Sequence, residues 1–354
     1  MILSALGRYK ELRLESDSPS FTVVAPKSSL SERTLILFEQ TLNFKVPMIS
    51  MQKEKGINGA YLIQGKKGPP AAVFKPSNEE GNRLVGDDGE RRLKLGMKQG
   101  DAAMNECISF YLGSKYGISL PATAFLTLSS PALEQGSASG SVQEFKNGKT
   151  FKSLSPEETD ALLKTASLKE FHDLFFMDLL TGNTDRHSGN LLVEGNKFNK
   201  IDHGCCLTAS LANPENYCWL KWNVKALHTP FDSSLVSHFD WEKDAREIQE
   251  AFPGFSAEAL RILNLRMHLL QKGTLAGLTP FELAQFFGLF GAMSIIYSRI
   301  DVSFKSEKET FGAIESAKKS IDACIVELAA QKKETAYDSK KAGSIVSKCA
   351  SRLK

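Results

Sequence analysis

Ten residues in the middle of the chain, 181–190, constrain its fold and chemistry more than any other stretch. They read TGNTDRHSGN, and a second short run, IDHG, follows at 201–204. The first run places Asp185 and Asn190 in a turn-rich segment, and the second places Asp202 after a short apolar run. Two carboxylates and an amide suit the transfer of a phosphoryl group from ATP. One carboxylate orients the acceptor hydroxyl, while the amide and the other carboxylate hold a metal ion against the phosphates.

The residues between these two runs predict a β-hairpin. Residues 191–193 and 198–201 have the composition of short strands, and a Gly-Asn pair stands between them. Such a hairpin would bring Asp202 back beside Asp185 and Asn190. A polar loop without chemistry is the alternative for one isolated pattern of this spacing.

A second predicted hairpin lies upstream and ends in a lysine. Residues 60–64 and 71–76 are apolar, and a turn rich in Gly and Pro separates them. Gly59 precedes the first strand, and a glycine there lets backbone N–H groups approach phosphate oxygens closely. Lys75 stands near the end of the second strand, from where its ammonium group could reach the same phosphates. A simple turn and a solvated lysine are the alternatives for either feature alone.

Residues 101–112 predict a helix that carries a carboxylate on its inward side. Asp101 is the expected N-cap, and an apolar stripe marks the buried face. Glu106 lies at the edge of that stripe, where an unpaired carboxylate would be costly. We therefore expect an ion pair between Glu106 and Lys75. An exposed Glu106 on a slightly rotated helix is the alternative.

Two further stretches complete the predicted first half. The charged, glycine-rich residues 79–100 predict a mobile loop. Residues 142–145 predict a short strand, and we expect Glu144 and Phe145 to offer backbone groups to the edge of an adenine ring.

The second half of the chain predicts mainly helices. One helix begins with Ser155 as its N-cap and a proline at N1, and residues 168–180 form the next. Residues 253–300 look helical throughout, and apolar residues between 311 and 328 recur at helical spacing, which predicts a final amphipathic helix.

Two features of this half bear on an acceptor or a membrane surface. Three apolar residues and two lysines stand close together, namely Trp219, Leu220, Trp222, Lys221 and Lys225. They would line an acceptor groove, touch a membrane interface or pack in the core. The chain after Ser303 carries an excess of basic residues, which could contact anionic lipid, although a solvated helical face is the commoner explanation.

Composition excludes several classes of protein. Of 354 residues, 42% are hydrophobic and 24% are charged, which suits a globular chain with room for two lobes. A net charge of +3 gives no sign of a nucleic-acid partner. The six cysteines show no paired spacing, which indicates a reducing compartment and no metal cluster. The apolar run at residues 1–4 is too short, and too soon followed by charges, to predict a signal peptide. The most apolar stretch, 283–300, contains Gln285 and Arg299, which favours a buried helix over a membrane span. We expect a cytoplasmic protein, with peripheral membrane contact as an option.

Taken together, these pieces resemble the phosphatidylinositol 3-/4-kinase family, and most closely the type II phosphatidylinositol 4-kinases of the plant gamma group. The resemblance covers about residues 56–240. Its pieces, in chain order, are Gly59-Ala60-Tyr61, Val73-Phe74-Lys75-Pro76, the 183–190 run, the 201–207 run, Trp219 with Trp222, and Pro230-Phe231.

The resemblance implies a role for each matching residue. Lys75 is similar to the lysine that binds the ATP phosphates, with Glu106 as its helix partner and Gly59 and Ala60 beside the nucleotide. Asp185 resembles the catalytic Asp, with His187 assisting as a base. Asn190 and Asp202 resemble the pair that binds Mg²⁺ or Mn²⁺.

The implied fold is α+β and kinase-like, with an antiparallel-sheet N-lobe that holds one key helix and a mostly helical C-lobe. We expect an N-terminal extension at 1–50, the N-lobe at 51–146, the C-lobe at 147–310, and a helix with a basic tail at 311–354. The implied activity is ATP-dependent phosphorylation of the inositol ring of a phosphoinositide. The alternatives are a Ser/Thr protein kinase of the same fold, which could be a secreted effector, and a silent nucleotide-binding scaffold.

Overall fold

The fold was analysed in a computed structural model of the chain. The structure describes residues 2–3, 10–12, 21–24, 49–50, 59–64, 70–80, 83–85, 91–93, 97–129, 133, 136–208, 217–289 and 307–334. The chain divides into two compact units. Unit 1 comprises 1–148, 199–206 and 242–255, and unit 2 comprises 149–198, 207–241 and 256–354.

An antiparallel sheet forms most of unit 1. Its strands are β1 (Ile2–Leu3), β2 (Lys10–Leu12), β3 (Phe21–Val24), β4 (Ile49–Ser50), β5 (Tyr61–Gln64), β6 (Pro70–Pro76), β9 (Thr123–Ser129) and β10 (Ser137–Glu144). Their order across the sheet is β1-β2-β3-β9-β10-β6-β5-β4. The predicted hairpin of β5 and β6 is therefore confirmed, with Tyr61 opposite Phe74. Strand β10 lies next to β6 and begins earlier than the sequence indicated, with Ser141 opposite Lys75.

The segment between β6 and the first helix differs from its prediction. Instead of one loop, a short 3-10 helix at Ser77–Glu79 is followed by β7 (Arg83–Val85) and β8 (Arg91–Leu93). These two strands pair antiparallel in a small sheet of their own. The sequence did not indicate these strands, because three residues are too few to show an alternating pattern and the segment is rich in charged residues.

Helix α1 (Asp101–Lys115) packs its apolar residues inward in unit 1, with Ile108 and Leu112 fully buried. Its N-terminus corrects the sequence prediction, since the N-cap is Gly100, at φ +94°, and not Asp101. The Glu80 carboxylate accepts the N–H groups of Gly100 at 2.8 Å and Ala103 at 2.9 Å. An acidic side chain is favourable there because the first N–H groups of a helix lack partners within the helix.

The other end of α1 is held by a later part of the chain. Helix α4 (Trp241–Ala251) supplies Asp244, which is fully buried. Asp244 accepts hydrogen bonds from Lys115 and from the hydroxyls of Tyr111 and Tyr116. Buried carboxylates need such partners, so this cluster anchors the C-terminal turn of α1.

Unit 2 is mostly helical. Its helices are α2 (Pro156–Thr165), α3 (Leu168–Thr181), α5 (Ala257–Leu275), α6 (Pro280–Leu289) and α7 (Glu307–Glu334). Helix α2 begins as predicted, with a capping box between Ser155 and Glu158. The predicted amphipathic helix is confirmed as α7, in which Ile314, Ile321 and Leu328 are buried. Its basic tail, after residue 334, lies outside the described residues, as do residues 290–300.

A three-stranded sheet completes unit 2, in the order β11 (Lys149–Thr150), β12 (Leu191–Glu194) and β13 (Lys197–Lys200). The hairpin predicted from the sequence is thus confirmed, with Gly195 in its turn at φ +59°. Strand β13 carries the chain out of unit 2 and into the 199–206 segment of unit 1. Among the described helices, none is both long and apolar enough to cross a membrane.

Candidate functional site

Lys75 on β6 forms the centre of a charged cluster in unit 1. Its ammonium nitrogen lies 2.5 Å from Glu106 Oε1 and 3.1 Å from Asp202 Oδ1. The Glu106 side chain is 1% exposed and that of Lys75 is 19% exposed. Burial alone would lower the pKa of Lys75, but the two carboxylates outweigh it and raise the pKa above its usual value. The lysine therefore stays charged.

Both carboxylate oxygens of Glu106 have partners. While Oε1 accepts from Lys75, Oε2 accepts from the side-chain amide of Gln143 at 3.1 Å. The same amide nitrogen donates to the Thr123 hydroxyl at 3.2 Å. A buried carboxylate satisfied on both oxygens has little freedom to turn, so β9 and β10 fix the orientation of Glu106 toward Lys75.

Asp202 reaches Lys75 from a strained backbone position. Its φ of +57° lies in the left-handed region, which Asp adopts more readily than most residues but at some cost. The adjoining chain is held against α1, because Asn105 Nδ2 donates to the Gly204 carbonyl at 3.0 Å. A side chain at Gly204 would press on Ala102, at 3.2 Å from its Cβ. Close packing on the helix thus sets the position of Asp202.

Of the four remaining predicted nucleotide contacts of unit 1, Gly59 and Glu144 have protein partners. The Gly59 N–H donates to the Glu79 carbonyl at 3.0 Å, and a Cβ on Gly59 would collide with the Glu79 side chain. The Glu144 N–H donates to the Ala122 carbonyl at 2.7 Å, and its carboxylate accepts the Ala122 N–H. The roles of Gly59, Ala60, Glu144 and Phe145 at the nucleotide stay predictions.

In unit 2, a buried ion pair shapes the 183–190 loop. Arg186 and Asp178 are both fully buried, and Arg186 Nε donates to the two Asp178 oxygens at 3.0 and 3.2 Å. Trp219 Nε1 donates to the same carboxylate at 2.9 Å. Arg186 Nη1 also donates to the Asn190 carbonyl. One carboxylate on α3 therefore holds both ends of the segment that follows Asp185.

Asp185 and Asn190 are joined within that loop. Asn190 Nδ2 donates to the Asp185 carbonyl at 3.0 Å, and the Asp185 N–H donates to Asn183 Oδ1 at 2.8 Å. The amide nitrogen of Asn190 is thus occupied, which leaves Oδ1 as the atom for a cation. That oxygen and the Asp202 carboxylate are both hard oxygen donors, so the chemistry of the predicted pair fits Mg²⁺. The two residues belong to different units.

His187 has a defined tautomer in this structure. Its Nδ1 accepts the Gly189 N–H at 2.9 Å, so Nδ1 carries no proton. In the neutral ring the proton must then lie on Nε2, which makes that nitrogen a donor. In this tautomer Nε2 can donate a hydrogen bond, and the base role that the family resemblance implied for His187 stays a prediction.

A cavity of about 570 Å³ opens in unit 2. Its lining residues are Thr184, Asp185, His187, Ser188, Cys218, Lys221 and Trp222. Burial, followed by the Asp178 charge, raises the pKa of Cys218 to about 12, so its thiol stays protonated. Of the aromatic pair in the sequence, Trp219 is a buried core residue, whereas Trp222 faces the cavity.

Sequence reasoning missed two residues that position others. Asp178 stands in the apolar run of α3, and a charge inside a buried helix is a sign of a buried ion pair. Gln143 stands one residue before the predicted adenine contacts, in a strand whose neighbours are buried. A polar side chain there needs a partner, but its identity could not be read without the sheet order.

The sequence of this chain matches a known protein family. The model of the family described as phosphatidylinositol 3- and 4-kinase matches residues 105–283, just over half of the chain.

The chain belongs to the phosphatidylinositol 3- and 4-kinase family. Its similar curated relatives include phosphatidylinositol 4-kinase gamma 8 of Arabidopsis thaliana, at 24% identity over 65% of this chain and 47% of the relative. The gamma 4 proteins of Arabidopsis thaliana and Oryza sativa subsp. japonica are each 28% identical, over 66% and 68% of this chain and 45% of each relative. The chain thus spans about half the length of the curated relatives it matches. Among solved structures, a candidate aminoglycoside phosphotransferase from Ralstonia eutropha gives 9% identity over 90% of this chain and 97% of that one. Its TM-score is 0.28, from which we infer nothing.

The family predicted from the sequence motifs is therefore confirmed, and so is the α+β kinase-like fold. The antiparallel sheet with its key helix α1 occupies unit 1, and unit 2 is mostly helical.

Proposed function

We propose that this chain is an ATP-dependent phosphotransferase that phosphorylates the inositol ring of a phosphoinositide, at the 4-position. The observation that carries the proposal is the Lys75 cluster, in which a half-buried, charged lysine is held by Glu106 and approached by Asp202. A fixed cation with a carboxylate beside it suits a triphosphate and its metal ion. The names of the relatives support the lipid acceptor and the 4-position.

In the proposed reaction, Lys75 binds phosphate oxygens of ATP while Glu106 keeps its ammonium group in place. Asp185 accepts the proton of the attacking ring hydroxyl, whose oxygen forms a bond to the γ-phosphorus. The bond from that phosphorus to the β–γ bridging oxygen breaks, and ADP leaves. His187 donates a hydrogen bond from Nε2, and the chain's contribution is mainly orientation and charge neutralisation.

Asn190 Oδ1 and the Asp202 carboxylate would hold Mg²⁺, or Mn²⁺. Such an ion supplies charge neutralisation on the phosphates when bound. Residues 59–60 and 144–145 would contact the nucleotide, with the N–H groups of Ala60 and Phe145 as the donors, because those of Gly59 and Glu144 already donate to Glu79 and Ala122. Because the acceptor is a membrane lipid, the chain would act at a membrane surface, and its low net charge gives no reason to expect a nucleic-acid partner.

The proposal is tested by incubating the chain with labelled ATP, Mg²⁺, phosphatidylinositol micelles and a mixture of protein substrates. We expect label in the lipid and not in protein. Lys75→Met and Asp185→Asn should each lower the rate by at least about 10²-fold, since each removes a group that acts on the transferred phosphoryl. Lys98→Met is the matched control, because Lys98 is exposed and takes no part in the Lys75 cluster. Label in protein alone, or equal rates for Lys75→Met and Lys98→Met, would overturn the proposal.

A further inference from the structure

The cavity of unit 2 has two walls that are tied together by the backbone. One wall is formed by Thr184, Asp185, His187 and Ser188, and the other by Cys218, Lys221 and Trp222. The Cys218 N–H donates to the Arg186 carbonyl at 3.0 Å. Since Arg186 is itself locked to Asp178, the distance between the walls is set by the fold, so the cavity exists before any ligand binds.

Two of the seven lining residues carry a formal charge at neutral pH, and the charges are opposite. Asp185 lies on one wall and Lys221 on the other. Within the described part of the chain, Lys221 makes no ion pair, and its side chain is exposed. A ligand that places a hydroxyl at Asp185 can therefore gain further binding energy from an anionic group at Lys221.

Trp222 contributes an aromatic side chain to the lining of the cavity. Its ring stacks on Phe151, with centroids 4.8 Å apart, and also contacts Phe171 and Phe198. These contacts restrain the indole, so it loses little freedom when a ligand packs against it. The C–H face of a ring that carries several hydroxyls can cover such a surface while its hydroxyls point elsewhere.

We propose that Lys221 and Trp222 form the part of the acceptor site that selects an inositol bearing a phosphodiester. Lys221 pairs with the phosphodiester anion, Trp222 covers the C–H face of the inositol ring, and a ring hydroxyl faces Asp185. The inference rests on the proposed function and adds the residues that choose the acceptor. The cavity volume of about 570 Å³ suits a small molecule, since such sites typically measure about 300–1,000 Å³.

A serine or threonine in a peptide would use the cavity differently. It brings a hydroxyl but neither a ring for Trp222 nor, in general, an anion for Lys221. The charge and the aromatic surface together therefore favour the lipid headgroup over a peptide hydroxyl.

The first test measures kcat/KM for phosphatidylinositol in micelles of a neutral detergent, which removes any general attraction to a charged membrane. Lys221→Gln should lower kcat/KM by about 10- to 100-fold, the usual worth of a hydrogen bond to a charged group. Lys225→Gln is the matched control, because Lys225 is an exposed lysine four residues away that does not line the cavity. We expect Lys225→Gln to stay within about twofold of the wild type. Equal losses in the two variants, or no loss in Lys221→Gln, would overturn the inference.

The second test separates the inference from the proposed reaction. Binding of soluble glycerophosphoinositol to the full chain is measured by saturation-transfer NMR without ATP. The wild type and Lys225→Gln should bind it, Lys221→Gln should lose most of the signal, and myo-inositol, which has no phosphate, should not distinguish the three. Binding with these differences but no phosphoryl transfer would keep the site and refute the proposed function. Lipid phosphorylation that is indifferent to Lys221→Gln would keep the function and refute the site.

Discussion

Removing the Asp178 carboxylate should destabilise unit 2 strongly. Asp178→Ala leaves the Arg186 guanidinium fully buried without its counter-ion and takes the acceptor from Trp219 Nε1. Breaking a buried ion pair by removing one partner typically costs about 3–5 kcal/mol. With a urea m-value of about 3 kcal/mol/M, the midpoint should fall by about 1–2 M. The assay is urea unfolding followed by circular dichroism.

Two further variants test whether the unpaired buried charge causes the loss of stability. Asp160→Ala removes an exposed carboxylate that pairs with Lys164 on helix α2, and should cost less than about 0.5 kcal/mol. The double variant Asp178→Leu with Arg186→Met replaces the pair by apolar side chains and should recover much of the loss. The reasoning is refuted if Asp178→Ala shifts the midpoint no more than Asp160→Ala. It is also refuted if the double variant is as unstable as the single one.

Three other predictions concern single residues. His187→Asn keeps an oxygen to accept the loop N–H and an amide to donate, so kcat should stay within about tenfold of the wild type, whereas loss of a general base would cost about 10²–10⁴-fold. Gly182→Ala should lower the free energy of unfolding by about 2 kcal/mol or more, because φ is +58° and a Cβ would collide with the Arg266 guanidinium; Gly195→Ala, with a similar φ and open space, should cost only about 1 kcal/mol in the same unfolding assay. Burial lowers the pKa of His172 in the folded chain, so the unfolded chain binds the proton more readily. The contribution of His172 to stability is therefore full above about pH 6.5 and falls below that pH. His172→Gln should remove this part of the pH dependence from urea midpoints measured from pH 5 to 8.

Elements with local signals could be predicted from the sequence. The start of helix α2 is predicted by Ser155, Pro156 and Glu158, and its capping box forms between residues three apart. The hairpin of β12 and β13 follows from a Gly-containing turn between two short apolar runs. In each case the deciding interaction lies within a few residues, so the sequence window contains it.

The start of helix α1 shows where that reasoning ends. Asp101 has the residue type and the position of an N-cap, but its carboxylate accepts the Lys98 N–H instead. The N–H groups at the start of the helix donate to Glu80, which lies about twenty residues earlier in the chain. Strands β7 and β8 lie between Glu80 and the helix. A distant carboxylate can replace a local cap because the N-terminal N–H groups need an acceptor of any origin, and no local pattern reveals which acceptor arrives.

The same limit of local sequence patterns applies to Arg186, the middle residue of the Asp185-Arg186-His187 run. Its neighbours suggest that Arg186 belongs to the chemistry, since it stands between two residues that line a cavity. The chain turns sharply there, so Arg186 points inward while Asp185 and His187 do not, and its guanidinium is consumed by Asp178. A run of three polar residues therefore contains two that line the cavity and one that holds the loop. The signal that separates them lies outside the run, in Asp178, the acidic residue among the buried apolar residues near the end of helix α3. A buried carboxylate there requires a cation, and only the folded structure shows that the cation is Arg186.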